Sequence, residues 1–294
     1  MERVNGVSVG VLDQLTDVAQ QQQISLEALL TFYSQERLLV RLAASSYEDQ
    51  YWLNGDYLVG LVANDFVKTA SGMTLCTKTM ANHLSIIEHA FKEICTEKIP
   101  EDGIQFVSEE LDISSDGEEV HIRIPARLEH VTTYIEITIN LFKTIPMAPK
   151  TMELMTILDG SSTTILAYPT ELIIAHKFNT IYRYPALEQA MKEYYDVYLL
   201  ASTQNFEGRV LQEAIIETFD RHKTTIEKCP AMFSYQYQMD MNKDKTWQQN
   251  INQQTVPFNQ VQKLVQQLLQ PIYEQIIAED EFFENWDYTL CEWR

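Results

Sequence analysis

Positive charge is the first thing this chain is short of. Its 294 residues hold 22 Lys and Arg against 42 Asp and Glu, a formal net charge of -20. A broad nucleic-acid surface needs many cationic phosphate contacts, so this balance disfavours one. Two readings of the charge remain open. One is plain solubility. The other is a basic protein partner, or a site that repels nucleic acid. No run of 18 uninterrupted apolar residues occurs, so no membrane span is expected. The opening Met1-Glu2-Arg3-Val4-Asn5-Gly6 lacks the basic and apolar regions of a signal peptide. The four cysteines, Cys76, Cys95, Cys229 and Cys291, form no CxxC pair, and the six histidines show no metal-ligand spacing. A reducing, cytoplasmic setting follows as the expectation. Glycine is scarce too, at 9 residues, so the turn Asn54-Gly55-Asp56 draws attention.

What is present is a globular composition, 45% hydrophobic and only 22% charged, long enough for one large domain or two modest ones. Helical spacing runs over residues 9–22 and again after Ser25, a candidate N-cap with Glu27 in the first turn. On that second helix, Glu36, Arg37 and Arg41 read as a surface face. The run after Asn54 reads as a buried helix, and residues 80–97 as another. The period then changes to two. Val120-His-Ile-Arg-Ile-Pro125 and Tyr134-Ile-Glu-Ile-Thr-Ile-Asn-Leu141 read as sheet partners joined by a turn near Glu129-His130, with an earlier turn at Ser114–Gly117. From Pro169 the pattern is helical, over Glu171–Tyr182 with Thr170 as a candidate N-cap, Met191–Leu200, 209–221 and 259–278. The Gln-rich stretch 248–268 keeps Val261, Leu264, Val265, Leu268 and Leu269 in phase and reads as a helix. The tyrosines 182, 184, 194, 195 and 198 read as mostly core, and His176 as a helix-surface residue.

Four strings, in order, resemble the AbiEii/AbiGii toxin family of nucleotidyltransferases. Ser25-Leu-Glu-Ala-Leu-Leu30 and its continuation to Leu42 resemble the family's leading helix. Tyr51-Trp-Leu-Asn-Gly-Asp56 stands where that family has a Leu-Lys-Gly-Gly turn. Leu166-Ala-Tyr-Pro-Thr-Glu-Leu-Ile-Ile-Ala-His-Lys177 is similar to its Tyr-Pro…Ala-Glu-Lys helix. Met191-Lys-Glu-Tyr-Tyr-Asp-Val-Tyr-Leu-Leu-Ala201 is similar to its Lys-Asp-x-x-Asp-Leu-x-x-Leu motif. The resemblance implies an α+β fold: a nucleotidyltransferase-like mixed sheet flanked by helices over residues 1–165, then a helical domain over 166–294.

In such enzymes an Asp-x-Asp pair on one strand and a third acid on a neighbour hold the divalent metals that bind the triphosphate. The resemblance puts the pair at Gly72 and Thr74 and the third acid at Thr138, so all three carboxylates are absent. The glycine turn keeps Gly55 but carries Asn54 and Asp56 in place of its lysine and second glycine, and an aspartate there repels a triphosphate. Lys68 falls where the family has arginine. Asn54, Gly55, Asp56, Lys68 and Lys192 are then the degenerate nucleotide-binding set, and Lys177 and Asp196 the catalytic pair if the chain is active. The alternative for Lys177 and Asp196 is a structural ion pair between packed helices.

Three functional readings result. The leading one is a degenerate relative of these toxins that uses no cofactor and acts by binding a protein. The setting is bacterial or phage defence or toxin–antitoxin, and the partner an antitoxin or an active relative. The second is an active enzyme that uses Mg2+ and a nucleoside triphosphate to modify tRNA or protein, with ligands from Glu136, Asp56 or Asp65. The third is an acidic inhibitory or decoy module.

Overall fold

The computed structural model describes residues 2–65, 72–78, 83–99, 102–117, 119–143, 147–185, 188–234, 237, 247–248 and 256–294. The chain divides into two compact units, Met1–Tyr168 and Pro169–Arg294. Helices and a mixed sheet make the first, and helices with a small sheet the second, so the α+β expectation holds.

The first unit opens with α1 (Glu2–Gln22) and α2 (Leu26–Ala44). Ser25 caps α2 as expected, its Oγ accepting from the Ala28 N–H at 3.1 Å. An eight-stranded sheet follows, built from β1 (Trp52–Asn54), β2 (Met73–Lys78), β3 (Ile104–Phe106), β4 (Asp112–Ser115), β5 (Glu119–Leu128), β6 (Val131–Phe142), β7 (Lys150–Met155) and β8 (Ser162–Ala167). Its order is β3-β5-β6-β2-β1-β8-β7, with β4 paired to β5. The β6–β2 and β1–β8 pairs are parallel and the others antiparallel. Helix α3 (Gly55–Ala63) packs on β1 and β2, and α4 (His83–Thr96) on β3 and β4.

Period-two patterning sets the two faces of the sheet. Ile135, Ile137, Ile139 and Leu141 of β6 are buried together with Val120, Ile122 and Ile124 of β5. That face meets α2, whose Ser34 hydroxyl lies 3.1 Å from Thr133 Oγ1. Glu136, Thr138 and Asn140 therefore lie on the opposite face, with Glu119 and His121 of β5.

Glu36, Arg37 and Arg41 do not form the surface face their charge suggests, because all three are buried. Arg37 pairs with Glu36, and Glu36 and Arg41 find partners at the rim of the sheet. Glu36 accepts from Arg37 at 2.6 Å and from the Ile157 N–H at 2.8 Å, and burial pushes its carboxyl above the usual range. Arg41 binds both carboxylate oxygens of Asp102, at 2.5 and 3.2 Å, and donates to the Ile104 carbonyl at 3.2 Å. Asp102 in turn accepts from the Ile104 N–H at 3.2 Å, and its own carbonyl accepts from Tyr33 Oη at 2.8 Å. The helix is thus tied to β3 at one side of the sheet and to the β7–β8 turn at the other.

The second unit holds α5 (Thr170–Arg183), α6 (Glu188–Thr203), α7 (Gly208–Arg221) and α8 (Phe258–Ala278). Its small sheet pairs β10 (Asn285–Asp287) with β9 (Phe206–Glu207) and with β11 (Glu292–Trp293). Phe178, Tyr182, Phe219 and Tyr273 form its aromatic core, with ring centroids 5.0–6.5 Å apart. Of the five tyrosines expected there, Tyr194 and Tyr195 are buried, Tyr182 and Tyr198 half-buried, and Tyr184 exposed at the end of α5. The Gln-rich stretch is helical from Phe258, with Val261, Leu264, Val265, Leu268 and Leu269 buried; residues 249–255 lie outside the described ones.

Removing one member of a buried ion pair leaves the other uncompensated, at a cost of about 3–5 kcal/mol. Asp102→Ala is expected to lose that much in urea unfolding. Replacing both Asp102 and Arg41 with apolar residues of similar volume is expected to cost clearly less than Asp102→Ala alone.

Candidate functional site

Of the site positions indicated by the sequence, Asn54, Thr74 and Thr138 fall in the first unit on one row across the sheet. Asn54 of β1 is opposite Thr74 of β2, Thr74 is opposite Thr138 of β6, and Thr138 is opposite His121 of β5. The strand–turn–helix that delivers the row is tight. Asn54 is extended, Gly55 has φ +69°, and α3 begins at once. A side chain on Gly55 would need the left-handed region, and its Cβ would stand 2.9 Å from Thr74 Oγ1. The turn therefore presses directly on Thr74, the second of the two positions where the resemblance puts the acid pair.

Each neighbour of the row has a local role. Asn54 Nδ2 donates to Cys76 Sγ at 3.1 Å. Burial pushes the Cys76 thiol up to about 12, with the Asn54 bond opposing, so it stays a thiol near neutral pH and is no nucleophile. Asp56 lies in the first turn of α3, where a carboxylate stabilises the positive end of the helix dipole. Asp65 closes the other end, its N–H donating to the Gly60 carbonyl at 2.8 Å beyond left-handed Asn64. Gly72 backs onto β6, where a Cβ would meet the Glu136 carbonyl at 3.4 Å. The Glu136 carboxylate is largely exposed, 3.9 Å from Arg123 Nε. Lys68 lies outside the described residues.

Among the described residues, Asp56, Asp65 and Glu136 do not belong to a group of three side chains close enough to share a cation. Among the described residues, the group of three His, Cys, Asp or Glu side chains close enough to share a cation is Asp116, Glu119 and His121. Histidine spacing along the chain gave no hint of it. The signal lay in register, since pairing β5 with β6 about a Glu129-His130 turn sets His121 opposite Thr138.

The second unit brings Lys177 and Asp196 together. Lys177 Nζ of α5 lies 2.5 Å from Asp196 Oδ2 and 2.7 Å from Glu193 Oε2 of α6. The Asp196 side chain has no exposed surface, and that of Lys177 is 13% exposed. Glu193 is the member of the cluster that motif reading passed over. It stands one α6 turn from Asp196, which puts both on the face toward Lys177. Lys192 is on the exposed side of α6. His176 is not the surface residue expected of it. It packs edge-on against His222 at 5.6 Å, and its pKa falls to about 4 through burial and then the charges of His222, Arg221 and Lys177.

A family model described as "Nucleotidyl transferase AbiEii toxin, Type IV TA system" matches residues 76–270. The match starts just past Thr74, so the Asn54–Asp56 turn and Gly72–Thr74 precede it. No curated protein matches the chain. Among solved structures, a protein described as "putative nucleotidyltransferase from H. pylori" superposes with a TM-score of 0.51 at 14% identity, covering 88% of this chain and 100% of that one. JHP933 from Helicobacter pylori superposes with a TM-score of 0.50 at 13% identity, covering 87% of this chain and 95% of that one. At these identities the likeness establishes the fold.

Two measurements check the local geometry. Gly55→Ala is expected to destabilise the protein by about 1–3 kcal/mol in urea unfolding, from the left-handed backbone together with the approach to Thr74. Adding Thr74→Ala should restore only part of this, because the backbone strain remains. For His176, the folded pKa of about 4 lies below the ordinary histidine value of 6.5. The unfolded chain therefore binds the extra proton between those pH values, and stability falls as pH drops through that window. His176→Gln is expected to flatten that part of the stability–pH curve, read as urea midpoints at each pH.

Proposed function

The chain belongs to the AbiEii family of nucleotidyl transferase toxins of type IV toxin–antitoxin systems, and from that premise we propose that it is a degenerate member that acts by binding a protein rather than by two-metal nucleotide transfer. The observation that carries this is the row Asn54, Thr74 and Thr138, with Gly72 beside it. These are the positions where the resemblance puts the metal-binding strands, they face one another across β1, β2 and β6, and they hold no carboxylate. Magnesium needs hard oxygen ligands with negative charge, and two-metal transfer needs several that converge. Gly72, Thr74 and Thr138 supply none, so the residues present do not fit the metals that this chemistry uses.

Lys177 and Asp196 remain the catalytic pair in the competing reading of an active enzyme. Their bonds to each other and to Glu193 account for both as a structural ion pair between α5 and α6. The net charge of -20 favours a partner with a basic surface, an antitoxin or an active relative, over RNA.

The test is nucleotide transfer by the purified chain, with Mg2+ or Mn2+, each labelled nucleoside triphosphate, and tRNA or protein as acceptor. The expected result is no more labelled product than Lys177→Ala forms. Metal-dependent labelling that Lys177→Ala abolishes would overturn the proposal. Rebuilding the acids as Gly72→Asp, Thr74→Asp and Thr138→Asp should create Mg2+ binding at the row, detectable by calorimetry and absent from the same triple change made with Asn.

A further inference from the structure

Beside the row of Asn54, Thr74 and Thr138, one strand further along the sheet, Asp116, Glu119 and His121 bring one ligand atom each within 4.8 Å of one another. We propose that these three side chains bind a divalent cation of the zinc type. The site is distinct from the row that the family's metals would use, and it stands whether or not the chain transfers nucleotides.

Three features make this an organised set. The first is placement. Glu119 and His121 are two residues apart on β5, so both project from the same face. Asp116 reaches them across the β4–β5 turn, where Gly117 has φ +113° and lets the chain reverse. The second is orientation from outside the set. Thr138 Oγ1 lies 3.4 Å from His121 Nδ1, and Asn140 Nδ2 donates to Glu119 Oε1 at 2.8 Å. Both supports come from β6, cross-strand from the residues they hold. His121 Nε2 faces Asp116 Oδ2 at 3.3 Å; in the tautomer that donates Nδ1–H to Thr138, Nε2 carries the lone pair that a cation seated between the two would take up in place of a direct contact. Fixing one imidazole nitrogen so that the other can ligate is how neighbouring hydrogen bonds prepare a metal-binding histidine. The third is access, since the His121 and Asp116 side chains are 41% and 68% exposed and open to solvent.

The ligand chemistry selects the cation. Imidazole with two carboxylates suits Zn2+ and its first-row neighbours, whereas Mg2+ and Ca2+ prefer all-oxygen sets. Zinc ligand bonds of about 2.0–2.2 Å put ligand atoms roughly 3.3–3.6 Å apart in a tetrahedron. The His121–Asp116 separation already meets that, and rotation of the Glu119 carboxylate completes it. Three protein ligands leave at least one position for water or for a group from a partner. Thr138 would thus support a ligand instead of being one.

The experiment measures Zn2+ binding by equilibrium dialysis with elemental analysis, on the full chain carrying Cys229→Ser to remove an exposed thiol. One Zn2+ per chain is expected, undiminished by excess Mg2+. His121→Ala should abolish it. Thr138→Val should weaken it about 10–100-fold, the usual effect of losing a supporting hydrogen bond. Thr138→Ser keeps the hydroxyl and should keep the affinity. Circular dichroism of each variant identifies any that fail to fold. No bound Zn2+, or binding that His121→Ala leaves unchanged, would overturn the proposal. A Thr138→Val affinity equal to that of the parent would remove the role assigned to Thr138.

Discussion

The first unit depends on the buried charges of one helix. Arg41 holds Asp102, Glu36 holds Arg37 and the Ile157 N–H, and Tyr33 holds the Asp102 carbonyl. Buried charges are costly unless paired and fully bonded, so these contacts tolerate few other arrangements. Apolar packing between α2 and β6 could slide by a turn of helix at modest cost. Charge pairs at both sides of the sheet cannot. They fix the height and direction of α2 against the strands, and so the face on which the site residues emerge. Specificity of placement is the role we assign them, because their net contribution to stability is small compared with apolar burial.

The row of Asn54, Thr74 and Thr138 carries no carboxylate. Converging carboxylates repel one another when no cation lies between them, which raises the free energy of the folded protein. Glycine and threonine at these positions carry no such cost. The Gly55 turn remains tight against Thr74, and Asn54 is occupied with Cys76. The scaffold geometry is maintained by packing and by hydrogen bonds that owe nothing to a nucleotide.

How far the sequence discloses this molecule differs from element to element. The strands β5 and β6 were legible from alternation, and their turn from Glu129-His130, because both signals are local. Together they imply the register that sets His121 opposite Thr138. What was missed was the cluster, because its third member, Asp116, joins through a separate turn. The charges of α2 were misread for a related reason. A charged residue in a helix is ordinarily exposed, and its burial depends on Asp102 and Ile157, far along the chain. The juxtaposition of Lys177 with Asp196 was foreseen as a possible helix–helix ion pair. Glu193 was passed over, although it shares their face. His176 was assigned to the surface because nothing local reveals the later helix that carries His222.

One bond set at the β3 margin has a consequence for the behaviour of many copies together. Ile104 turns its N–H and C=O away from β5, and Asp102 and Arg41 occupy them. A free strand margin is a template on which another chain can add by backbone pairing. Net negative charge offers limited protection, since at physiological salt it is screened beyond about 8 Å. Here the Ile104 groups that could recruit a foreign strand are filled from within the same chain, so at this residue the protection does not rest on net charge alone.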